Sequence, residues 1–341
     1  MTTMLPKRKR ALIAVTLLLL ILLILVYRWF LGAAFNLDHT AYIYIDNDDT
    51  KDSVYVKISQ TANPKSMIGY TILSTISPNH IKSGRYAATT DENMISFYRK
   101  LRSGRQTPVS LVIPSVRTMD RLAAALDKKL MLDSATVARA FTDSVFCSKY
   151  GYDTATLACL FIPNTYEIYW NTGLEDFMQR MIKENQNFWS DERLNKAHET
   201  GLSCNEIITL ASIIDEETAN NAEKPMVAGM YLNRLKQGMP LQADPTIKFA
   251  LKDFSLRRIY HNHLNINSPY NTYRNIGLPP GPIRIASIAG IDAVLNHVKH
   301  DYLYMCAKED FSGTHNFART YDEHLRNAAR YSEALNKRGI K

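Results

Sequence analysis

Ala211 to Thr218 reads ASIIDEET and closes a helix that the sequence predicts from about Ser203. At about 100° per residue, Ile207, Leu210 and Ile214 share one apolar face, and Glu217 falls at the edge of that face. Glu216 points nearly opposite and Asp215 lies on the other flank, so of three consecutive acids only Glu217 prolongs the buried stripe. A carboxyl held against apolar surface is desolvated. Its pKa rises, and it stays protonated near neutral pH, ready to donate to a leaving oxygen. Breaking a glycosidic bond requires such a donor. An acid at a helix end also serves to close an amphipathic face or to pair with a nearby Lys or Arg, and the helical wheel leaves both readings open.

Working outward, a further helix is predicted to start near Glu223, with Pro225 at an early position and Gly238 as the stop after Met226, Met230 and Leu235. Residues 239–283 are dense in Pro, Gly, Asn and aromatic side chains and read as irregular loops of the kind that build sites. Asp301 to Ala307 reads as a strand and Thr320 to Leu335 as a final helix. Upstream, the chain is mostly helical from Asp133, with an amphipathic helix over Leu174 to Phe188. Before that, Thr107 to Ile113 is strand-like and Arg121 to Leu130 helical. Residues 38–108 alternate short pieces. Ala41 to Ile45 and Ser53 to Ile58 are read as strands, Lys65 to Ile76 as a helix, residues 81–86 as a turn-rich connection, and Glu92 to Arg102 as a helix closed by Gly104.

At the N-terminus, Lys7, Arg8, Lys9 and Arg10 precede an uncharged apolar run from Ala11 to Tyr27. A run of this length reads as a membrane span, with the basic cluster left on the cytoplasmic side and everything after Phe35 exported. The rival is a cleaved signal peptide, since Gly32, Ala33 and Ala34 are small; bulky Trp29 and Phe30 crowd that position. No Cys follows the run, which speaks against a lipoprotein anchor. The net charge of +8 favours an anionic contact such as lipid headgroups, an acidic polymer or nucleic acid. Nucleic acid is disfavoured because the basic residues are dispersed and four are spent at the membrane. Cys147, Cys159, Cys204 and Cys306 lack the short paired spacing of a zinc or redox site; only Cys147 and Cys159 lie close enough in sequence to suggest a disulfide, and buried free thiols compete with it.

The chain resembles a known family, the endolytic murein transglycosylases of the MltG or YceG-like type. ASIIDEET looks like its catalytic helix, YLNRLKQGMPLQADPT (Tyr231 to Thr246) like its second signature and SPYNTYRNIGLPPGPI (Ser268 to Ile283) like its third. FIPNTYEIYW from Phe161, YLYMCA from Tyr302 and HNF from His315 are further matches in the same order, together spanning roughly Phe161 to His324. The resemblance implies an α+β protein. Residues 1–35 would form a cytoplasmic stub and single transmembrane helix, 36–108 a small LysM-like α/β module, and 109–341 a larger, mostly helical YceG-like catalytic domain.

The family's catalytic glutamate is the second acid of its E-x-E-T motif, which falls on Glu217; the first acid is Asp215 here instead of Glu. Further departures are Ala243 where Thr is common, Ile285 and Ala286 in place of Asn-Pro, and Ser312, Gly313 and Thr314 before His315. The implied reaction cleaves the MurNAc-GlcNAc bond within nascent glycan strands and leaves 1,6-anhydro-MurNAc ends, with no metal or cofactor called for. The implied setting is the periplasmic face of the inner membrane, beside a peptidoglycan polymerase complex. Gln242, Asp244, Tyr270, Asn271, Thr272 and Tyr273 offer the donors, acceptors and flat faces that a glycan needs, and Asn233 and Arg234 add two more polar groups. For each, shaping the loops competes with touching sugar. His315 and His324 suggest a proton relay or a metal pair, against the commoner role of satisfied structural groups. A hydrolytic muramidase and a non-catalytic glycan-binding scaffold are the alternative functions.

Overall fold

A computed structural model describes residues 6–77 and 81–339. The chain divides into two compact units. The first runs to Ser110 and adds Lys129–Met131 and Glu167–Thr172; the second comprises Leu111–Lys128, Leu132–Tyr166 and Gly173–Lys341.

The first unit begins with α1 (Lys7–Val26), continued by a π-helical turn, Tyr27–Leu31. Among the described residues this is the one helix long and apolar enough to cross a membrane, and its apolar side chains are exposed. β1 (Ala41–Ile45), α2 (Lys51–Thr61), α3 (Ile68–Ile76), β2 (Gly84–Ala88) and α4 (Met94–Ser103) follow. β1 and β2 pair antiparallel, with Ile43 opposite Tyr86. Ile43, Ile45, Val54, Ile58, Tyr86, Phe97 and Leu101 form its core, and burial of each such side chain contributes about 1.5–3 kcal/mol.

Two local expectations fail here for identifiable reasons. Residues 53–58 form helix, not strand: Thr50 caps it by accepting from the Ser53 amide at 3.2 Å, and Val54 and Ile58, one turn apart, are the buried pair. Val56, which completed an apparent alternation with them, faces solvent. Residues 81–86, read as a connection, contain the start of β2. Gly84 and Arg85 resemble a turn, but Gly84, Tyr86 and Ala88 alternate inward across from β1. The Gly104 stop is as expected, with φ +72° after α4.

β3 (Val109–Val112) and β4 (Thr165–Ile168) are each divided between the two units, and the second unit contains α5 (Met119–Asp127), α6 (Ser134–Thr142) and α7 (Ser144–Ser148). Then come α8 (Leu174–Phe188), α9 (Asp191–Thr200), α10 (Cys204–Glu217), α11 (Lys224–Lys236) and α12 (Asp244–Leu251). α13 (Ile288–Leu295), the antiparallel hairpin β5 (Tyr304–Ala307) and β6 (His315–Ala318), and α14 (Tyr321–Lys337) complete the second unit.

α10 is the hub. A full capping box, Ser203 with Glu206, starts it. Every residue from Ile207 to Ile214 is buried, so the helix is enclosed on all sides instead of presenting the single stripe the wheel suggested. Its two small polar residues are satisfied locally: Thr209 Oγ1 donates to the Asn205 carbonyl at 2.8 Å and Ser212 Oγ to that of Thr209 at 2.7 Å. Ser212 Oγ also accepts from the Ile283 amide at 3.0 Å, which fastens the Pro-rich loop to the hub.

The expectation of irregular structure over 239–283 is corrected by α12. Its signals were present in Asp244 and Pro245, an acid and a proline in a first turn, but were masked by the surrounding Gly, Pro and Asn. All four cysteines are free thiols.

Candidate active site

The last turn of α10 carries Asp215, Glu216 and Glu217, and the fold gives them three different surroundings. Asp215 is almost fully buried; Lys224 Nζ lies 2.6 Å from its Oδ1, and the Ser287 amide and hydroxyl donate to it at 2.6 and 2.8 Å. Ser287 caps α13, so Asp215 locks the hub to the start of the neighbouring helix. Glu216 takes a bidentate pair from Arg117 at 2.8 and 2.7 Å and a third bond from Arg284 Nη1 at 3.0 Å. Glu217 has no ion pair among the described residues. Its one hydrogen bond there comes from the Tyr231 hydroxyl, which donates to Oε1 at 2.7 Å.

Burial is the main influence on Glu217 and pushes its pKa up to about 7. The Tyr231 bond opposes the rise, Asp244 reinforces it, and His315 and Lys248 oppose it at longer range. Desolvation wins because no cation touches the carboxyl. The result is a proton donor poised at the ambient pH of a neutral compartment.

Glu217 opens into a cleft of about 230 Å³ whose walls include Tyr231, Arg234, Gln242, Asp244, Tyr273 and His315. Tyr231 and Arg234 come from α11, Asp244 from the start of α12, and His315 from β6. Gln242, with a left-handed φ of +51°, is exposed, and its amide bonds the Thr272 carbonyl at 3.0 Å. The Tyr273 hydroxyl donates to Asp244 Oδ1 at 2.5 Å. Burial and the Asp244 carboxylate both hold that phenol well above its ordinary pKa.

Of the residues expected to hold a glycan, Gln242, Asp244, Tyr273 and Arg234 thus line the same cleft as Glu217. Arg234 is buried there and already bound to the Leu303 and Leu241 carbonyls at 2.6 and 2.7 Å. Asn233 spends its amide on the His300 and Tyr302 carbonyls at 2.6 and 3.0 Å. Asn271 and Thr272 are fully buried inside the loop they shape. Asn271 donates to the Leu264 and Ile266 carbonyls, and Thr272 Oγ1 accepts from the Ala243 amide. Tyr270 turns away from the cleft and packs on Phe249, ring centroids 4.7 Å apart.

The two histidines have different partners. Both carboxylate oxygens of Glu223 serve His315, one bonding its amide at 2.6 Å and the other lying 3.0 Å from Nδ1. His324 instead stacks on Tyr304 at 5.6 Å. Sequence reasoning missed Tyr231 as the partner of Glu217. The available signal was a tyrosine on the same side of its predicted helix as Val227 and Ala228, a phenol whose hydroxyl would need a buried partner.

Similar proteins are found by sequence and by structure. An endolytic murein transglycosylase of Bacillus subtilis (strain 168) is 38% identical over 168 residues, 49% of this chain and 46% of the relative. Another of that name from Streptococcus pneumoniae (serotype 2, strain D39) is 26% identical over 345 residues, 89% of this chain and 61% of the relative. The chain thus spans between about half and three-fifths of the length of these relatives. A crystal structure of a yceG-like protein from Listeria monocytogenes superposes with a TM-score of 0.56 at 25% identity, covering 85% of this chain and 99% of that one. Residues 43–330 match the model of the YceG-like family, and the chain belongs to that family.

Proposed function

We propose that the chain is a membrane-anchored lytic transglycosylase that cuts the MurNAc-GlcNAc bond inside peptidoglycan strands, with Glu217 as its acid and base. The observation that carries this reading is the environment of Glu217. Alone of three adjacent acids it has no cation, its pKa is pushed up to about 7, and it faces a polar cleft. The names of the relatives point to the same polymer.

In the reaction, the Glu217 proton passes to the glycosidic oxygen as that bond to the muramic acid C1 breaks. The carboxylate then takes the proton of the muramic acid 6-hydroxyl while its oxygen bonds to C1, closing the 1,6-anhydro ring. No water is consumed and Glu217 ends as it began. Tyr231 steadies the carboxyl through both steps, and Gln242, Asp244 and Tyr273 present the hydrogen bonds and flat face that position the sugars. α1 holds the protein in the inner membrane with Lys7 to Arg10 cytoplasmic, and the β1-α2-α3-β2 unit serves as a LysM-like glycan-contacting module. On this reading the substrate is the nascent strand at the membrane face, with a peptidoglycan polymerase complex as the proposed neighbour.

A second reading is favoured by one specific feature. Asp244 shares the cleft with Glu217, and a second carboxyl is what a hydrolase uses to activate water. Digestion of purified sacculi decides between them. The transglycosylase leaves anhydro-MurNAc ends, a muramidase leaves reducing ends, and Glu217→Gln lowers either by about 10²–10⁴-fold. Equal release by the wild type and the variant would remove Glu217 from the chemistry, and release by neither would leave a glycan-binding scaffold.

A further inference from the structure

Glu216, the neighbour of the proposed acid, points the other way and gathers Arg117 and Arg284. Those two arginines line a second cleft of about 400 Å³, together with Lys252, Phe249, Phe254 and Tyr270. This cleft shares its framework with the first. α12 has Asp244 of the first cleft at its start and Phe249 of the second near its end, while the following loop sends Tyr273 to the first and Tyr270 to the second.

The second cleft has a definite chemical character. One wall is aromatic, with Phe249 at 4.7 Å from Tyr270 and 6.4 Å from Phe254, centroid to centroid. Arg117 lies over the Phe254 ring at 5.3 Å. Three cations, Arg117, Arg284 and Lys252, face two carboxylates, those of Glu216 and Asp120. Lys252 is exposed and has no ion pair among the described residues, so a positive charge is left for a ligand. Apolar faces beside unneutralised positive charge fit a short acidic peptide better than they fit a bare sugar.

We propose that this cleft receives the peptide branch of the glycan, so that the enzyme takes peptide-bearing strands in preference to naked ones. The proposal rests on the peptidoglycan reading above. A muramic acid seated at Glu217 carries its peptide on the lactyl group, and the carboxylates of that peptide meet Lys252 and Arg117 while its apolar side chains lie along Phe249 and Phe254.

The test compares uncross-linked, peptide-bearing strands with the same strands stripped by an amidase, using the full-length protein in detergent. The wild type is expected to show a KM up to about fivefold lower for the peptide-bearing strands, the effect of one exposed charge contact. Lys252→Gly suits the left-handed backbone at that position, φ +55°, and removes the charge. It should raise KM for peptide-bearing strands toward the naked value, leaving kcat and the naked-strand KM unchanged. Phe254→Ala should act in the same direction. Equal wild-type KM values for both strands, or a Lys252→Gly effect of the same size on both, would overturn the proposal. A wild type that cuts neither strand would instead overturn the enzymatic reading, and this one with it.

Discussion

Three successive carboxylates at the end of one helix meet three different surroundings, and the partners of each set its charge balance. Asp215 and Glu216 are neutralised by Lys224 and by two arginines; Glu217 is left to a phenol. The Tyr231 bond favours the ionised carboxylate and so restrains the rise caused by burial. Tyr231→Phe should therefore move the Glu217 titration to higher pH, carrying the alkaline limb of the activity profile upward with it. It should also cost about tenfold in kcat, the order of one lost hydrogen bond to a charged group. A pH–rate profile checks both, and an unmoved alkaline limb would show that the phenol has no hold on the acid. The sequence singles out Glu217 by an apolar stripe, but α10 is enclosed on all sides; what distinguishes Glu217 from its two neighbours in the fold is a phenol partner in place of a cation. The arginines that hold Glu216 were not legible in the sequence, since Arg117 lies 99 residues away and nothing local ties it to the helix.

At the level of elements, the capped, enclosed α10 fixes where the acid stands, and α13 fixes the end of α10. A Cβ on Gly290 would lie 2.7 Å from Asp215 Oδ1, closer than a methyl group and a carboxylate tolerate. Gly290→Ala is expected to destabilise the protein by about 1–3 kcal/mol and to lower activity more than a surface change would, by disturbing the turn that holds Glu217. Thermal melting and turnover on the same sample measure this; a variant indistinguishable from wild type in both would mean that the α10–α13 junction does not set the site. The amphipathic helix over Leu174–Phe188 was readable to its ends, whereas those read over Arg121 to Leu130 and Lys65 to Ile76 run from Met119 to Asp127 and from Ile68 to Ile76. The failures came where short-range patterns were ambiguous. Val54, Val56 and Ile58 fit a strand's alternation as well as a helix's turn, and only the packing of Val54 and Ile58 decides between them. α12 was hidden because its loop-rich flanks dominated the composition around it.

For the molecule as a whole, the buried acid is a cost as well as a device. The Glu217 pKa is about 7 in the folded chain against an ordinary 4.5. Between those two values the folded state binds more protons than the unfolded one, so stability falls as pH rises from about 4.5 through about 7 and then levels off. Glu217→Gln removes the titrating group and with it that loss. The measurement that tests the central claim is therefore the pH dependence of unfolding for the wild type and Glu217→Gln in the same detergent. The variant's stability relative to wild type is predicted to increase by about 2–3 kcal/mol between about pH 5 and pH 8. A difference that stays constant across that range, or that shrinks, would show that Glu217 is an ordinary ionised carboxylate in the folded protein and would contradict the account.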